Sequence, residues 1–468
     1  MRYLLLIPGV LVLLVLIAVV RTLLSPKKTS DYRPQENEQE ALRLAEKLSR
    51  MIQIDTTSHA GGDDPEKFRA FHKTLAELFP LVFSKLEKTE IDGNLLFYWK
   101  GRSSEKPILL MSHQDVVPAE GEWLHAPFSG DIADGKVWGR GASDTKCSVM
   151  AFFEAVEQLL AEDFTPPTDV YLASSCTEEW AGDGAPKLVK ELQRRGVELF
   201  LLCDEGGGII SEPIGGIPGN FAMVGVFEKG KADVKFTAKS TGGHASAPGK
   251  HTPIARLAAF VNEAETHSPF KKKLLPEVAA MFRTLSGYAS SFGLRLLLGN
   301  LWLFSPLLKA VLPAVSAQAG AMLKTTIAFT TQSGSDAYNV IPQEATLGAN
   351  MRFIPHQGEQ ESLAIIRKLA EKHGLSTEVL HSNDFTPPVD IHGEAFTLFT
   401  RVIGEPFPGL AASPYVMTGA TDAQFYQPVC KSCIRFAPVI YGPEQMKGMH
   451  GLNENIEYNC LPGAVSFY

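Results

Sequence analysis

The sequence predicts an α/β fold: a mixed, largely parallel sheet flanked by helices, with a smaller domain of β-α-β-β-α-β order inserted into it. Three observations carry that prediction. Short apolar runs alternate with stretches of helical periodicity through the first half of the chain, as strands and crossover helices do when they stack in layers. Near residue 229 the pattern changes to two-residue alternation, with two helical stretches between the alternating segments. A histidine and several acidic residues directly follow the apolar runs, and a parallel sheet collects functional groups at the carboxyl ends of its strands.

Whole-chain properties narrow the function classes. A length of 468 residues suggests roughly two to three domains, and 45% hydrophobic with 21% charged residues suits a globular protein with a sizeable core. The net charge of −8 and pI near 5.9 leave no basic surplus for nucleic acid. Six cysteines are too few for a disulfide framework. Cys147, Cys176 and Cys203 each fall in an apolar stretch and read as small core fillers, while Cys430 and Cys433 have CxxC spacing that, with no second pair nearby, is weak evidence for zinc or redox chemistry.

In chain order, residues 3–20 form an uncharged run of 18, followed by Arg21, Lys27 and Lys28. At about 1.5 Å per residue the run reaches roughly 27 Å, so residues 1–24 read as a transmembrane anchor, with a cleaved export signal as the alternative. Residues 25–39 are polar and proline-containing and read as a linker. The first part of the main domain then covers residues 40–228. Apolar spacing predicts helices over 40–51, 68–79, 148–160 and 185–195, and strands over 94–99, 107–111, 169–174 and 199–203. The inserted domain spans 229–382, with strands over 232–239, 325–331, 345–353 and 376–381 and helices over 253–265 and 361–373. Inside it, residues 270–324 form an apolar insertion. Pro306, Lys309 and Pro313 argue against a second membrane span there and for a helical hairpin; a wall for an acyl chain or a dimer contact is the sharper alternative. Residues 383–468 return to the first domain.

Five segments offer ligands for a cation. His113 and Asp115 follow the run Ile108-Leu109-Leu110-Met111, and Asp144 sits in a glycine-rich turn. Glu178-Glu179 and Asp204-Glu205 each follow an apolar run, and His450 lies near the carboxyl end. Imidazole and carboxylate suit zinc-like cations. Any one segment reads equally well as a solvated loop acid or a core histidine. Acidic pairs at several strand ends together require neutralisation, because unpaired buried charge is costly.

These segments resemble the signature of the co-catalytic zinc exopeptidases and amidohydrolases, a family that includes aminoacylase, carnosinase, glutamate carboxypeptidase and yeast carboxypeptidase S. The likeness runs from about residue 40 onward. It is nearest the N-fatty-acyl-amino-acid synthase/hydrolase branch through Phe128-Ser129-Gly130, Gly139-Arg140-Gly141, Asp204-Glu205-Gly206-Gly207, Asn300-Leu301-Trp302-Leu303-Phe304 and Asn339-Val340-Ile341-Pro342. The resemblance implies a zinc-exopeptidase-like sheet with a ferredoxin-like lid or dimerisation domain. It also implies two zinc ions per subunit, with cobalt or manganese as substitutes. Asp144 would bridge them, His113 and Asp204 completing one site and Glu179 and His450 the other. Asp115 would orient His113, and Glu178 would be the general base.

The same resemblance assigns substrate groups. His244, in Gly242-Gly243-His244-Ala245-Ser246, would polarise the scissile carbonyl, often from a partner subunit; alone it reads as a loop histidine. Asn339, Arg352 and the turn opened by Gly419 would hold the substrate's terminal carboxylate. The implied substrates are N-acyl amino acids, with short peptides as the alternative, and the implied partners are a membrane and a second copy of the chain. A non-catalytic protein of the same fold is the rival from another class; its mark would be a lost ligand or a lost Glu178, and neither is lost.

Overall fold

In the computed structural model, which describes residues 6–34, 37–62 and 65–468, the chain divides into two units. The first comprises Met1–Val226, Ala280–Asn300 and Pro388–Tyr468; the second comprises Phe227–Ala279 and Leu301–Pro387.

The first unit is built on eight strands: β1 (Glu87–Ile91), β2 (Asn94–Trp99), β3 (Ile108–Met111), β4 (Val170–Ser174), β5 (Leu201–Ser211), β6 (Asn220–Glu228), β7 (Ala411–Met417) and β8 (Cys433–Tyr441). Their spatial order is β1-β2-β4-β3-β5-β8-β6-β7. The central four, β4, β3, β5 and β8, run parallel, while β1–β2, β2–β4 and β5–β6 pair antiparallel. This is the mixed sheet the sequence predicts. Met111 is level with Ala173 and Leu110 with Cys203, so the residues after β3, β4 and the start of β5 emerge along one edge.

Helices cover both faces, which is why the central strands are almost continuously apolar. On one face, Gly184–Arg194 buries Leu188, Val189 and Leu192 against Leu96, Leu109 and Tyr171. Each such side chain contributes about 1.5–3 kcal/mol by leaving water. On the other, Phe153 of the helix Lys146–Ala161 meets Phe97 edge-on, ring centroids 5.5 Å apart. The helix Glu38–Ile52 starts at Asn37, whose side chain accepts from the Glu40 N–H. Its buried positions Ala41, Leu44, Ala45, Leu48 and Ile52 fall on one face.

Glu154 joins these helices. It is buried and takes Lys47 Nζ at 2.5 Å and Arg43 Nη2 at 2.6 Å. Burial alone would raise its carboxyl, but hydrogen bonds from Lys47, Gln158 and Arg43 hold it below the ordinary 4.5. Glu154→Gln is therefore expected to cost about 2 kcal/mol at neutral pH. A carboxylate depressed in the fold stabilises above its ordinary pKa and loses that contribution as pH falls through the lower folded value. The melting temperatures of parent and variant should thus converge as the pH drops below 4.5; a gap that persists in acid would refute this linkage.

The amino-terminal expectations change in two respects. The expected span begins at Tyr3, outside the described residues. From Leu6 to Leu24 the chain is one helix with exposed Val10, Leu13, Leu16 and Leu23, yet no single helix among the described residues is long and apolar enough to cross a membrane. The expected free linker is instead laid along the first unit from residue 25 to 34. Lys28 N–H donates to Gly287 O, Asn220 N–H donates to Ser30 O, and the buried Tyr32 ring stands edge-on to Phe407 at 5.4 Å. Residues 35 and 36 lie outside the described residues.

The apolar insertion is also redistributed. Pro306 and Pro313 lie inside the continuous helix Leu301–Val315 rather than interrupting it. The break falls at Asn300, whose side-chain amide donates to Leu296 O and to the Thr22 hydroxyl oxygen. The preceding helix, Phe292–Gly299, belongs to the first unit and Leu301–Val315 to the second.

The second unit holds an antiparallel sheet of Thr326–Ser333, Glu344–Phe353, Gly230–Lys239 and Ser376–Asn383, in that order. Alternate residues Ala232, Val234, Phe236, Leu347 and Met351 face Phe260 of helix Pro253–Thr266 and Ile366 of helix Glu359–Lys372.

Candidate metal centre

The residues after β3 stay extended. Gln114 N–H donates to Ser175 O and Val116 N–H to Thr56 O, so His113 and Asp115 point one way and Gln114 the other. Gln114 accordingly meets His72 at 2.9 Å, while His113 is buried and faces the sheet edge. His113 Nδ1 lies 2.9 Å from the Asp115 carbonyl oxygen and 3.4 Å from its carboxylate. With a proton held there, Nε2 is the nitrogen that faces the cluster. Nε2 sits 3.2 Å from Asp144 Oδ1, 3.3 Å from Glu205 Oε1 and 3.9 Å from Glu178 Oε2.

Asp144 ends a turn that needs glycine. Gly141 has φ +88°, and a Cβ there would come within 2.9 Å of Val116. The two Asp144 oxygens diverge: Oδ1 faces His113, and Oδ2 lies 3.1 Å from His450 Nε2. His450 Nε2 is also 3.1 Å from Glu179 Oε2. The other Glu179 oxygen, Oε1, is buried without a hydrogen-bond partner. Ligand atoms of His113, Asp144 and Glu179, and those of His113, Glu178 and Glu205, lie within 4.8 Å of one another.

The charge balance explains the titration of this edge. Burial pushes the Glu178 carboxyl well above its ordinary value, despite His113 nearby, and pushes Glu205 up to about 8. Burial would also raise Asp144, but hydrogen bonds from His113 and His450 overcome it and hold that group low. Hydrogen bonds to Asp144 and Glu179 raise His450 to about 10. So many acids converging on two histidines, with a buried carboxylate oxygen left unpaired, are the donor set of hard or borderline divalent cations.

The structure therefore brings together His113, Asp144, Glu178, Glu179 and His450, and adds Glu205 to them. Asp204 is engaged by two backbone donors. Its Oδ1 accepts from the Glu205 N–H at 2.8 Å and its Oδ2 from the Ala423 N–H at 2.9 Å. Glu205, one residue on, points into the cluster. Asp115 does more than orient His113: its carboxylate accepts from the Ser58 hydroxyl at 2.6 Å and from the Glu178 and Glu179 N–H groups at 3.2 Å each.

The residues expected to meet substrate fall in both units. His244 pairs with Val340 in a short ribbon, and Ala245 N–H donates to Asn339 O at 2.9 Å, so His244 and Asn339 are neighbours. Arg352 is not with them. It pairs with Lys231 at one end of its strand, whereas Glu344 at the other end pairs with Lys239, just before the His244 segment. Eight residues at about 3.3 Å separate the two ends, roughly 26 Å, so one copy's Asn339 and Arg352 do not form one pocket. Gly419 opens the turn to Thr421 and Asp422 in the first unit, beside the Ala423 N–H that holds Asp204. Cys430 and Cys433 are packed in the core.

Comparison with known proteins identifies the family. The model for peptidase family M20/M25/M40 matches residues 109–468. The chain is 33% identical to N-fatty-acyl-amino acid synthase/hydrolase PM20D1 of Xenopus tropicalis, over 98% of this chain and 92% of that one. It is 32% identical to the probable carboxypeptidase S-like 2 of Dictyostelium discoideum, over 98% and 91%. In fold it is similar to an M20 family metallo-carboxypeptidase of Sulfolobus solfataricus, with a TM-score of 0.66 and 17% identity over 91% of this chain and 97% of that one. The chain belongs to peptidase family M20/M25/M40, a metal-dependent family of hydrolases acting on peptide and amide bonds.

Proposed function

We propose that the chain hydrolyses the amide bond of N-acyl amino acids, N-fatty-acyl ones in particular, with the reverse condensation open to the same site. One observation carries the reading: the Asp144 oxygens diverge, each facing a different histidine, as a carboxylate bridging two cations would. The relative described as an N-fatty-acyl-amino acid synthase/hydrolase, matched along nearly the whole chain, supports the substrate class.

His113, Asp144 and Glu205 would hold one cation, and Asp144, Glu179 and His450 the other; zinc suits this N/O set, with cobalt or manganese as substitutes. Held there, divalent cations would supply Lewis acidity for activating a water and the scissile carbonyl. Glu178, whose carboxyl burial raises above its ordinary value, would take a proton from the attacking water. It then delivers that proton to the amide nitrogen as the carbon–nitrogen bond breaks, leaving an acyl carboxylate and a free amino acid. Asp115 holds the Glu178 and Glu179 backbone in place during this exchange.

His244 would donate to the developing oxyanion, and Gly419, Asn339 and Arg352 would recognise the amino acid carboxylate. Because Asn339 and Arg352 lie at opposite ends of one sheet, a homodimer in which a second copy supplies His244 and Asn339 is the arrangement that uses all of them. The helix Leu6–Leu24, apolar and exposed along most of its length, would tie the enzyme to a membrane, or be removed on export.

A second reading, cleavage of short peptides, is favoured by the likeness to the carboxypeptidase S-like relative. Specificity constants separate the two. With N-acyl amino acids as substrates, kcat/KM for an N-oleoyl amino acid should exceed that for a Gly-X dipeptide by at least about tenfold, or 1.4 kcal/mol in the transition state. A preference for the dipeptide would establish the second reading instead.

A further inference from the structure

Glu454 is a carboxylate beside the centre that the chemistry leaves unused. It is fully buried, four residues after His450. Its Oε1 accepts from the N–H groups of Gly141, Ser143 and Asp144 at 3.1, 2.9 and 2.9 Å, and from the Ser143 hydroxyl at 3.2 Å. Its Oε2 takes Arg140 Nη1 at 2.7 Å, and its backbone carbonyl accepts from the Gly139 N–H. One side chain thus gathers the whole turn that ends in Asp144.

Arg140 carries the connection onward. Its Nη2 donates to Gly451 O at 2.9 Å, the carbonyl next along from His450. That position matters because His450 has φ +54°, a left-handed conformation disfavoured for a side-chain-bearing residue. The His450 side chain is also 58% exposed, so packing does little to aim it. Its direction is set by its backbone, and its backbone is held through Gly451 by Arg140.

Taking the two-cation reading as its basis, we infer that Glu454 and Arg140 form a buried clamp that sets Asp144 and His450, residues 306 apart in sequence, at the spacing one cation requires. Neither residue of the clamp touches substrate or cation. Both act as positioning residues for the His450 side of the centre, whereas His113 is aimed by Asp115.

Titrating the metal-stripped full chain with Co²⁺, followed by its visible absorption, tests this without reference to turnover. The parent should bind in two steps. Glu454→Gln, which keeps the side chain's volume and loses its charge, should weaken one step ten- to hundred-fold, the range typical of residues that orient ligands. In a His450→Ala background the same change should shift the surviving step much less. Arg140→Lys keeps a cation opposite Glu454 but drops the second arm to Gly451; it should weaken the same step and serves if Glu454→Gln does not fold. A purely structural role would lower the metal-free melting temperature and leave both Co²⁺ affinities unchanged, which would overturn the clamp. A parent that binds no Co²⁺ would overturn the two-cation reading itself.

Discussion

Glu178→Ala is expected to lower kcat about 10³- to 10⁴-fold while the protein keeps its full metal content. Glu178 lies farther from His113 Nε2 than Asp144 or Glu205 does, and its backbone is held by Asp115 rather than by its own side chain. The variant therefore removes a proton carrier and leaves the candidate ligands in place. Turnover and metal content measured on one preparation decide the role. A variant that loses metal in step with activity would make Glu178 a ligand, and one that keeps its kcat would move the base elsewhere.

Glu205→Ala is expected to remove one of two metal equivalents, with a loss of activity beyond the ~10–100-fold typical of residues that merely orient ligands. Asp204→Asn, next door, should stay within that range and keep both equivalents, because both Asp204 oxygens accept backbone hydrogen bonds, from the Glu205 and Ala423 N–H groups. Metal content by mass spectrometry distinguishes the pair. The reverse order of effects would restore Asp204 as the ligand.

That pair shows where reading the sequence reaches its limit. An Asp-Glu pair after an apolar run announces an acid at a strand end. Which of the two faces the site depends on strand parity, and a one-residue shift exchanges the faces. His113, Asp144 and His450 had no such neighbour to compete with, and the structure places them together. Glu178 and Glu179 could be separated because their expected roles already differed.

Other misses have different physical causes. Glu454 looks like a surface glutamate near the end of the chain, and its burial follows from bonds to residues more than 300 positions away. Residues 25–34 have the composition of a linker, but backbone hydrogen bonds to Gly287 and Asn220, which composition does not encode, fix them to the first unit. Pro306 and Pro313 look like helix breakers, yet the helix runs through both and ends its predecessor at Asn300. The resemblance put Asn339 and Arg352 in one pocket; in the chain the strand Glu344–Phe353 runs between them.

The central claim, metal-dependent hydrolysis of an N-acyl amino acid amide, is tested most directly by one assay on the full chain. Amino acid release from an N-oleoyl amino acid is measured on metal-stripped protein, then during stepwise return of zinc. Release should be absent without metal and rise to its maximum at two equivalents per chain. Undiminished release from the stripped protein, or none at any zinc level, would contradict it.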